Sequence, residues 1–519
     1  MSAPENNRPS VSVPLDDSCE PGVVAGSTTD DSSLGAGPLA RGSLIVLVAQ
    51  GLQSIRGIVL LPFITRLLSA GDYGLWVQAG TLTSLLAPIA TLYLGSAVLR
   101  FFAAESSPRR VSSALIGVLI TVTALSVLVA GATALARGGL ASAFFEGQRI
   151  IVILAMASLL PECLASVCLA YFRTFRQMGR FSFFSVARPY VELVTLIILL
   201  LTGHTLLDLI AAMAIVRSVL TGVMMCVILR ETGWSAPDFS PLPQYLRYSA
   251  PLMPTNLLLW VTNASDRFVI GYYLGAASVG FYNPGYALGS MVAFLSAPVM
   301  YVLPSFVYAH YDQGRTKLAA DYISNTLLAV AVSGFLVTAV LGGLALPILS
   351  LLATSEMAQQ GYLVTPFVAL GVMAQLCTTV VSIAIGCVKK THLAAYSALA
   401  GACLNLGLNI VFIPRYGIVA AAATTLIAML VDLGIRVTLV RRHLLLNIQW
   451  WRLTKAAVAA VILGLGLFSL SVTGVAPLVG LLVLSPAIYL ALLVGLRVVH
   501  IDDLIAARRF ASQLIKERK

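Results

Sequence analysis

The sequence predicts an all-α polytopic membrane protein with about 14 transmembrane helices. Two six-helix halves are expected around a central cavity, with two extra helices at the C-terminal end. Of the 519 residues, 58% are hydrophobic and 11% are charged, whereas a soluble domain has about 25% charged residues. The apolar residues also fall in long runs, each close to the 20 or so residues that a helix needs to cross a bilayer.

The chain divides into five parts by composition. Residues 1–40 are rich in Ser, Pro, Gly and Asp and predict a disordered cytoplasmic tail. The predicted spans are 43–66, 75–102, 111–136, 149–172, 180–203, 208–230, 244–266, 283–309, 321–347, 360–387, 391–413, 417–440, 453–472 and 475–499. They form an N-terminal half at 43–230, a C-terminal half at 244–440 and an additional pair at 453–499. Residues 500–519 predict a basic cytoplasmic tail, either solvated or an amphipathic helix on the membrane.

The basic residues between the spans set the expected orientation. With the N-terminal tail in the cytoplasm, 16 Lys and Arg residues fall on the cytoplasmic side. Five fall outside: Arg66, Arg137, Arg149, Arg267 and Arg415. Positive charge favours the cytoplasmic side, so we expect both termini on the cytoplasmic side of the membrane. The net charge of +11 is thereby explained without nucleic acid as a partner.

A small set of ionisable residues lies far from the predicted span ends. Each costs about 2.5–3.5 kcal/mol at a helix centre, so these residues must face one another, a partner or water. The deep charges are Arg56, Glu162, Arg188, Glu192, Arg217 and Asp432, and nearer the span ends lie Arg436 and the pair Asp266–Arg267. Most of the deep charge is therefore predicted in the first half.

The deep charges of the first half have several expected pairings. Arg188 and Glu192 are four residues apart, share a helix face and are expected to pair. Glu162 is a candidate partner for Arg217 or Arg56. Arg56 has no acidic residue near it in the sequence, which makes it a candidate to face a bound anion.

A weak internal repeat relates the two halves. The segment LSAGDYGLW at 68–76 aligns with LGAASVGFY at 274–282, and each joins an odd span to the next even one. Transporters are often built from such repeats, with the substrate site between the halves. We therefore expect the halves to rock against each other. The turns at 71–72 and 277–278 should meet outside when the cavity faces inward.

Three motifs resemble one known family. TRLLSAGDYG at 65–74 resembles the first-hairpin signature of Wzx-type flippases of bacterial polysaccharide units, and DRFVIGYYLG at 266–275 with VGFY at 279–282 resembles their seventh-span signature. Asn405, Asn409 and IPRYGI at 413–418 resemble their eleventh-to-twelfth turn. The resemblance covers residues 43–440. It implies the fold of the multidrug/oligosaccharidyl-lipid/polysaccharide exporter superfamily.

The resemblance also implies a substrate, an oligosaccharide on a polyprenyl diphosphate that moves from the inner to the outer leaflet. Arginine binds phosphate through a planar fork of donors and stays charged when desolvated. The headgroup candidates are therefore Arg56, Arg188, Arg217 and Arg267. The candidate ion-pair or coupling residues are Glu162, Glu192 and Asp266. A polysaccharide polymerase and chain-length or export proteins are the expected protein partners.

Aromatic and amide side chains are candidates for sugar contacts. These are Tyr282, Tyr286, Asn256 and Asn263. Tyr282 lies at a predicted span end and also fits an interfacial aromatic belt. The asparagines equally fit hydrogen bonds between helices.

The sequence contains no catalytic signature, nucleotide-binding Gly-Lys motif or His cluster, so we expect a transporter without a metal or other cofactor. Two alternative functions remain open. An ion-coupled multidrug exporter of the same superfamily would need a cavity dominated by carboxylates. A membrane-embedded glycan polymerase or transferase would need a large external loop. A flippase for a peptidoglycan precursor is a close relative of the flippase for a lipid-linked oligosaccharide.

Overall fold

The computed structural model describes residues 51–52, 56–105, 107–390, 392–472 and 474–498, and every regular element within them is a helix. The predicted tails at 1–40 and 500–519 lie outside the described residues. The α-helices are α1 (56–67), α2 (Ala70–Thr91), α3 (Leu94–Phe101), α4 (Pro108–Leu135), α5 (Arg137–Phe144), α6 (Arg149–Ala157), α7 (Leu159–Thr174), α8 (Met178–Leu201), α9 (Leu206–Thr232), α10 (Leu242–Ser249), α11 (Met253–Leu274), α12 (Ala276–Gly289), α13 (Ser296–Asp312), α14 (Thr316–Gly343), α15 (Ala345–Leu352), α16 (Ser355–Gly361), α17 (Val364–Cys387), α18 (His392–Arg441), α19 (Trp450–Phe468) and α20 (Val475–Gly495).

The helices confirm the predicted class of fold. Among the described residues, nine helical segments are long and apolar enough to cross a membrane, with α6 and α7 counted as one, and the bent pair α2–α3 adds a tenth. These ten account for eleven of the fourteen predicted spans, because α18 contains both the eleventh and the twelfth. The protein is therefore an all-α polytopic membrane protein.

Helix α18 is a hairpin folded at one glycine. Gly417 has φ 72° and ψ −157°, a conformation that residues with a side chain rarely adopt. The Asn405 amide donates to the Thr425 hydroxyl at 3.0 Å, and the Thr424 hydroxyl donates to Asn409. In a straight helix, residues 405 and 425 would lie about 30 Å apart. The two segments therefore run side by side, and these asparagines join them.

The predicted boundaries of the seventh and eighth spans, 244–266 and 283–309, were wrong. Helix α11 continues to Leu274, and α12 begins at Ala276. Arg267, assigned to an external loop, lies inside α11 and is only 8% exposed. Polar residues in these helices face neighbouring helices, whereas hydropathy detects the residues that face lipid.

The second predicted span is bent. Helices α2 and α3 meet at 49° across Leu92 and Tyr93, whose φ angles are 44° and 58°. Left-handed backbone is unfavourable for residues with a β-carbon. Pro88, one turn earlier, has no N–H to donate to the helix. The bend thus follows from a missing hydrogen bond and two left-handed residues.

The buried apolar side chains of the described residues form three cores. A buried apolar core lies within residues 75–245, with Ala276 as its contribution from the second half, and another lies within residues 303–448. A third core joins α1, α8 and α9 to helices of the C-terminal half. The strongest packing between the halves is that of α2 against α11 and α12.

The contact between α2 and α12 is unusually close, and we call it the seam. It is formed by Ala70, Gly74, Ala276 and Gly280. A β-carbon added at Gly74 would lie 1.8 Å from the Ala276 carbonyl oxygen, and one added at Gly280 would lie 2.1 Å from that of Ala70. Small residues four apart let helix backbones approach in this way inside membranes.

The seam follows the internal repeat. Ala70 and Gly74 correspond to Ala276 and Gly280 in the alignment of residues 68–76 with 274–282. Each Ala-x-x-x-Gly pair contacts the other, so the seam has an approximate two-fold symmetry. This confirms that the two turns meet, at the helix ends that the charge distribution predicts to be outside. We call these the outer ends.

Two charged side chains cross between the halves near the seam. The Glu146 carboxylate accepts the backbone N–H of Ala276 at the start of α12, at 3.2 Å. The Arg66 guanidinium donates to the Leu351 carbonyl near the end of α15, at 2.8 Å. An anion at a helix start and a cation at a helix end both complement the helix dipole. Both contacts therefore help to hold the outer ends together.

Candidate functional site

A cluster of five charged side chains lies in the N-terminal half. Its three arginines are Arg56 on α1, Arg188 on α8 and Arg217 on α9; its carboxylates are Glu162 on α7 and Glu192 on α8. We call it the arginine cluster. Arg56, Glu192 and Arg217 lie roughly 14–17 Å from the outer ends of their helices, at 1.5 Å per residue. This is about half the thickness of the apolar part of a bilayer.

Glu192 lies at the centre of the arginine cluster, with its side chain 5% exposed. Its Oε2 atom accepts from Nη2 of Arg217 at 3.3 Å and from Nη2 of Arg56 at 3.5 Å. Its Oε1 atom accepts from Nε of Arg217 at 3.3 Å and lies 3.6 Å from Nε of Arg188. One buried carboxylate is thus shared by guanidinium groups from three helices.

Glu162 forms the edge of the arginine cluster. It accepts a hydrogen bond from Nη2 of Arg188, and its side chain is 37% exposed. Glu162 also lines a largely apolar cavity of about 420 Å³, whose polar lining includes Tyr93, Ser166 and Arg173. The bend between α2 and α3 forms another part of this cavity wall. The cluster therefore borders space that water or a polar ligand can enter.

The structure settles the pairings expected from the sequence. The pairing of Arg188 with Glu192 is confirmed at 3.6 Å. The pairing of Glu162 with Arg217 or Arg56 was wrong, because its partner is Arg188. Arg56 does have an acidic partner, Glu192, which lies 136 residues away in the chain. Tertiary packing alone brings those two together, so sequence spacing carried no signal for the pair.

The fourth headgroup candidate belongs to a separate cluster in the C-terminal half. Nη1 of Arg267 donates to Oδ1 of Asp266 at 3.1 Å and to the Asn263 carbonyl oxygen at 3.0 Å. Its guanidinium carbon lies 4.1 Å from the ring centre of Tyr286, a cation–π contact. The Tyr282 hydroxyl donates to the other oxygen of Asp266. Arg267 is therefore neutralised, stacked and largely removed from solvent.

The candidate sugar contacts differ in their surroundings. Tyr282 is fully buried, so its assignment to an interfacial belt was wrong, and it has no free face for a sugar in this conformation. Tyr286 is half-buried and stacks against Arg267. Asn256 and Asn263 are half-buried, and their amides donate to the carbonyl groups of Leu252, just before α11, and of Leu259, at 2.9 Å and 2.8 Å. Those bonds are local in the chain rather than between helices.

The remaining deep charges form a structural pair. Nε of Arg436 donates to Asp432 at 3.0 Å, and its Nη1 donates to the Ser382 hydroxyl at 2.6 Å. The bond to Ser382 joins α18 to α17. Within the described part of the chain, no group of three or more His, Cys, Asp or Glu side chains is arranged to hold a metal ion.

The residues of the seam were not singled out from the sequence. The repeat alignment already contained the signal, because both segments have an Ala-x-x-x-Gly pair at the same position. Two further contacts cross between the halves nearby. The Asn283 amide donates to the Tyr73 hydroxyl, and the Trp260 indole donates to the Ser84 hydroxyl at 2.9 Å. Pairs of this kind depend on the tertiary fold and leave no pattern in the sequence.

Comparison with protein families identifies the family of this chain. A family described as polysaccharide biosynthesis protein matches residues 39–310, more than half of the chain. The chain belongs to the polysaccharide biosynthesis protein family. A second family, MatE, matches residues 251–411, and both matches confirm the superfamily that the three sequence motifs resemble. Comparison with curated proteins finds no match.

Several solved structures have the same fold as this member of the polysaccharide biosynthesis protein family, although their sequence identity to it is low. One is the lipid II flippase MurJ in an inward closed conformation, 14% identical, with a TM-score of 0.69 over 90% of this chain and 100% of that chain. An inward-facing multidrug resistance transporter of the MATE family is 13% identical, with a TM-score of 0.59 over 76% and 94%. A superfamily transporter from Pyrococcus furiosus, described as having a binding pocket of reverse polarity, is 14% identical, with a TM-score of 0.51 over 81% and 96%.

Proposed function

We propose that this protein is a flippase for polysaccharide biosynthesis. It moves a polyprenyl-diphosphate-linked oligosaccharide from the cytoplasmic to the outer leaflet of the bacterial inner membrane, for an exopolysaccharide, a capsule or an O-antigen. The observation that carries the proposal is the arginine cluster. Three guanidinium groups from three helices converge at mid-depth on two carboxylates, which leaves one net positive charge.

The chemistry of the cluster fits a diphosphate. Arginine offers a planar set of donors that matches phosphate oxygens and remains charged in a site of low polarity. An excess of positive charge at mid-depth is costly in an empty membrane site and is relieved by an anion. The side chains of Arg56 and Arg217 are 29% and 21% exposed, so they can be reached by a ligand.

A multidrug exporter of the same superfamily is the second candidate function. The MatE match and the MATE structures favour it. An organic cation, however, would be repelled by a cluster in which arginines outnumber carboxylates. A glycan polymerase or transferase in this chain is a weaker proposal, since the stretches between the predicted external span ends are short.

The seam supports a mechanism of alternating access. The outer ends of α2 and α12 are closed against each other, so a substrate at the arginine cluster would leave outward only when the seam opens. The proposed cycle is loading at the cluster from the cytoplasmic side, opening of the seam, and release. In the proposal, Asn256, Asn263 and Tyr286 contact the glycan, and a polymerase with chain-length or export proteins receives it.

The proposal is tested at Arg56. Arg56→Ala is expected to abolish glycan export while the protein still inserts into the membrane. Arg56→Lys is expected to restore export only in part, because lysine keeps the charge but loses the planar fork. Arg137, an exposed residue at the start of α5, provides a matched control, and Arg137→Ala should export normally.

The measurement is glycan export per molecule of membrane-inserted protein. Normal export by the Arg56→Ala protein would eliminate the headgroup role of this residue. A loss of inserted protein without a change in export per molecule would show that Arg56 is structural.

A further inference from the structure

The buried carboxylate of Glu192 has a peculiar set of partners. Arg56, Arg188 and Arg217 all face it, each from within 3.3–3.6 Å. Hydrogen bonds between charged groups usually measure about 2.7–2.9 Å. Each oxygen of Glu192 is therefore shared between two guanidinium groups rather than bound tightly to one.

The arginines also keep unused donors. Three guanidinium groups carry roughly fifteen N–H donors, and among the described residues they form four hydrogen bonds to carboxylate oxygens. Nε of Arg188 is buried and has no hydrogen-bond acceptor in the described structure. The cluster thus holds its carboxylates loosely and has capacity for more oxygen atoms.

We propose that Glu192 is the resident anion of the headgroup site, which the diphosphate of the substrate displaces. This inference rests on the proposed function. In the empty protein, Glu192 neutralises the arginines, so that they do not remain unpaired in a site of low polarity. When the diphosphate enters, it takes over the guanidinium donors, and when it leaves, Glu192 returns to them.

Such competition suits a transporter better than a tight binding site. A site that binds too strongly does not release its ligand, so transport requires binding that is readily reversed. By competing for the same donors, Glu192 weakens binding of the diphosphate and promotes release. Removing the charge of Glu192 should therefore strengthen binding of the diphosphate and slow transport. Removing an arginine should weaken binding of the diphosphate and also reduce transport.

The test uses Glu192→Gln, which keeps the shape of the side chain and removes its charge. Coupling between close charges in binding sites commonly changes affinity by about tenfold or more. We expect Glu192→Gln to bind farnesyl diphosphate about tenfold more tightly than the original protein. Each inserted molecule of the Glu192→Gln protein should translocate the substrate more slowly than the original protein does.

Glu162→Gln is the matched control. It removes the same charge from the same cluster, but Glu162 contacts one arginine rather than three and is 37% exposed rather than 5%. We expect a change in affinity of less than about threefold, because exposed charges are screened by solvent.

The experiment measures binding of farnesyl diphosphate to the full-length protein in lipid nanodiscs by calorimetry, for the original protein, Glu192→Gln, Glu162→Gln and Arg56→Ala. Weaker binding by Arg56→Ala with tighter binding by Glu192→Gln supports both proposals. Weaker binding by Arg56→Ala with unchanged or weaker binding by Glu192→Gln overturns the resident-anion role alone. Unchanged binding by Arg56→Ala overturns the headgroup site itself.

A second comparison applies if Glu192→Gln reduces the amount of folded protein. Arg217→Gln is combined with Glu192→Gln, which restores the net charge of the cluster to its original value. The double variant should bind farnesyl diphosphate about tenfold more tightly than Arg217→Gln alone. Equal affinities of these two proteins would overturn the resident-anion role.

Discussion

Adding one methyl group to the seam should open the outer side of the protein. A β-carbon at Gly74 would lie 1.8 Å from the Ala276 carbonyl oxygen, and one at Gly280 would lie 2.1 Å from the Ala70 carbonyl oxygen. Ordinary contact begins near 3.4 Å, so the helices must separate by 1.6 Å or 1.3 Å respectively. Backbone atoms stand in the way, so no side chain can simply rotate aside.

The size of the effect follows from the cost of overpacking. Inserting a methyl group into a packed interface typically costs about 1–3 kcal/mol. This cost applies to the closed seam and disappears once α2 and α12 separate. Gly74→Ala and Gly280→Ala should therefore each shift the equilibrium toward outer-open forms by a factor of about 5–150, at 1.4 kcal/mol for each tenfold change.

The assay is a distance measurement between spin labels at positions 67 and 273. Both residues are exposed, and they lie on opposite halves beside the seam. The labels are placed in a protein without its seven native cysteines. Gly71→Ala is the matched control, because a β-carbon there would be 3.9 Å from its nearest neighbour.

We expect the distributions of label-to-label distance for Gly74→Ala and Gly280→Ala to contain a longer distance that is absent from the distribution for Gly71→Ala. The same distance distribution in Gly74→Ala and Gly71→Ala would refute the idea that the seam is the outer closure.

Three further predictions concern orientation, movement and stability. Cysteines at Asp72 and Ser278 should react with an impermeant maleimide from outside and one at Lys390 should not; the reverse pattern would contradict the orientation. A cross-linker joining cysteines at Asp72 and Ser278 should stop transport, and full activity of the cross-linked protein would argue against rocking halves. Arg267→Ala should lower the free energy of unfolding in mixed micelles by about 3–5 kcal/mol, because it leaves the buried Asp266 unpaired. The Asp266→Asn, Arg267→Ala double variant should show a smaller decrease in the free energy of unfolding. An equal decrease would mean that the unpaired charge of Asp266 does not cause the loss of stability.

The sequence predicted the features that depend on local pattern. Apolar runs located eleven of the fourteen spans in the described helices, because lipid-facing residues must be apolar whatever their neighbours are. The pairing of Arg188 with Glu192 was also predictable, since four residues of helix place both on one face. The repeat alignment predicted that the turns at 71–72 and 277–278 would meet.

The features that depend on tertiary packing were not predictable in the same way. Arg56 contacts Glu192 across 136 residues of chain, and no spacing rule relates them. Tyr282 was misplaced because α12 packs against α2 and α17 and the Tyr282 hydroxyl donates to the buried Asp266, and neither contact is visible in the local sequence. The closeness of the seam likewise depends on two helices from different halves, although its small residues were visible in the sequence.

The proposed flippase function is tested most directly by translocation with the purified protein in liposomes. A short-chain polyprenyl diphosphate carrying a fluorescent glycan is placed in both leaflets, and an impermeant reagent quenches the outer leaflet. The proposed flippase function predicts that the original protein exposes the inner fraction over time and that Arg56→Ala, inserted to the same level, does not. Equal rates for the two proteins, or movement of an organic cation in place of the diphosphate lipid, would contradict it.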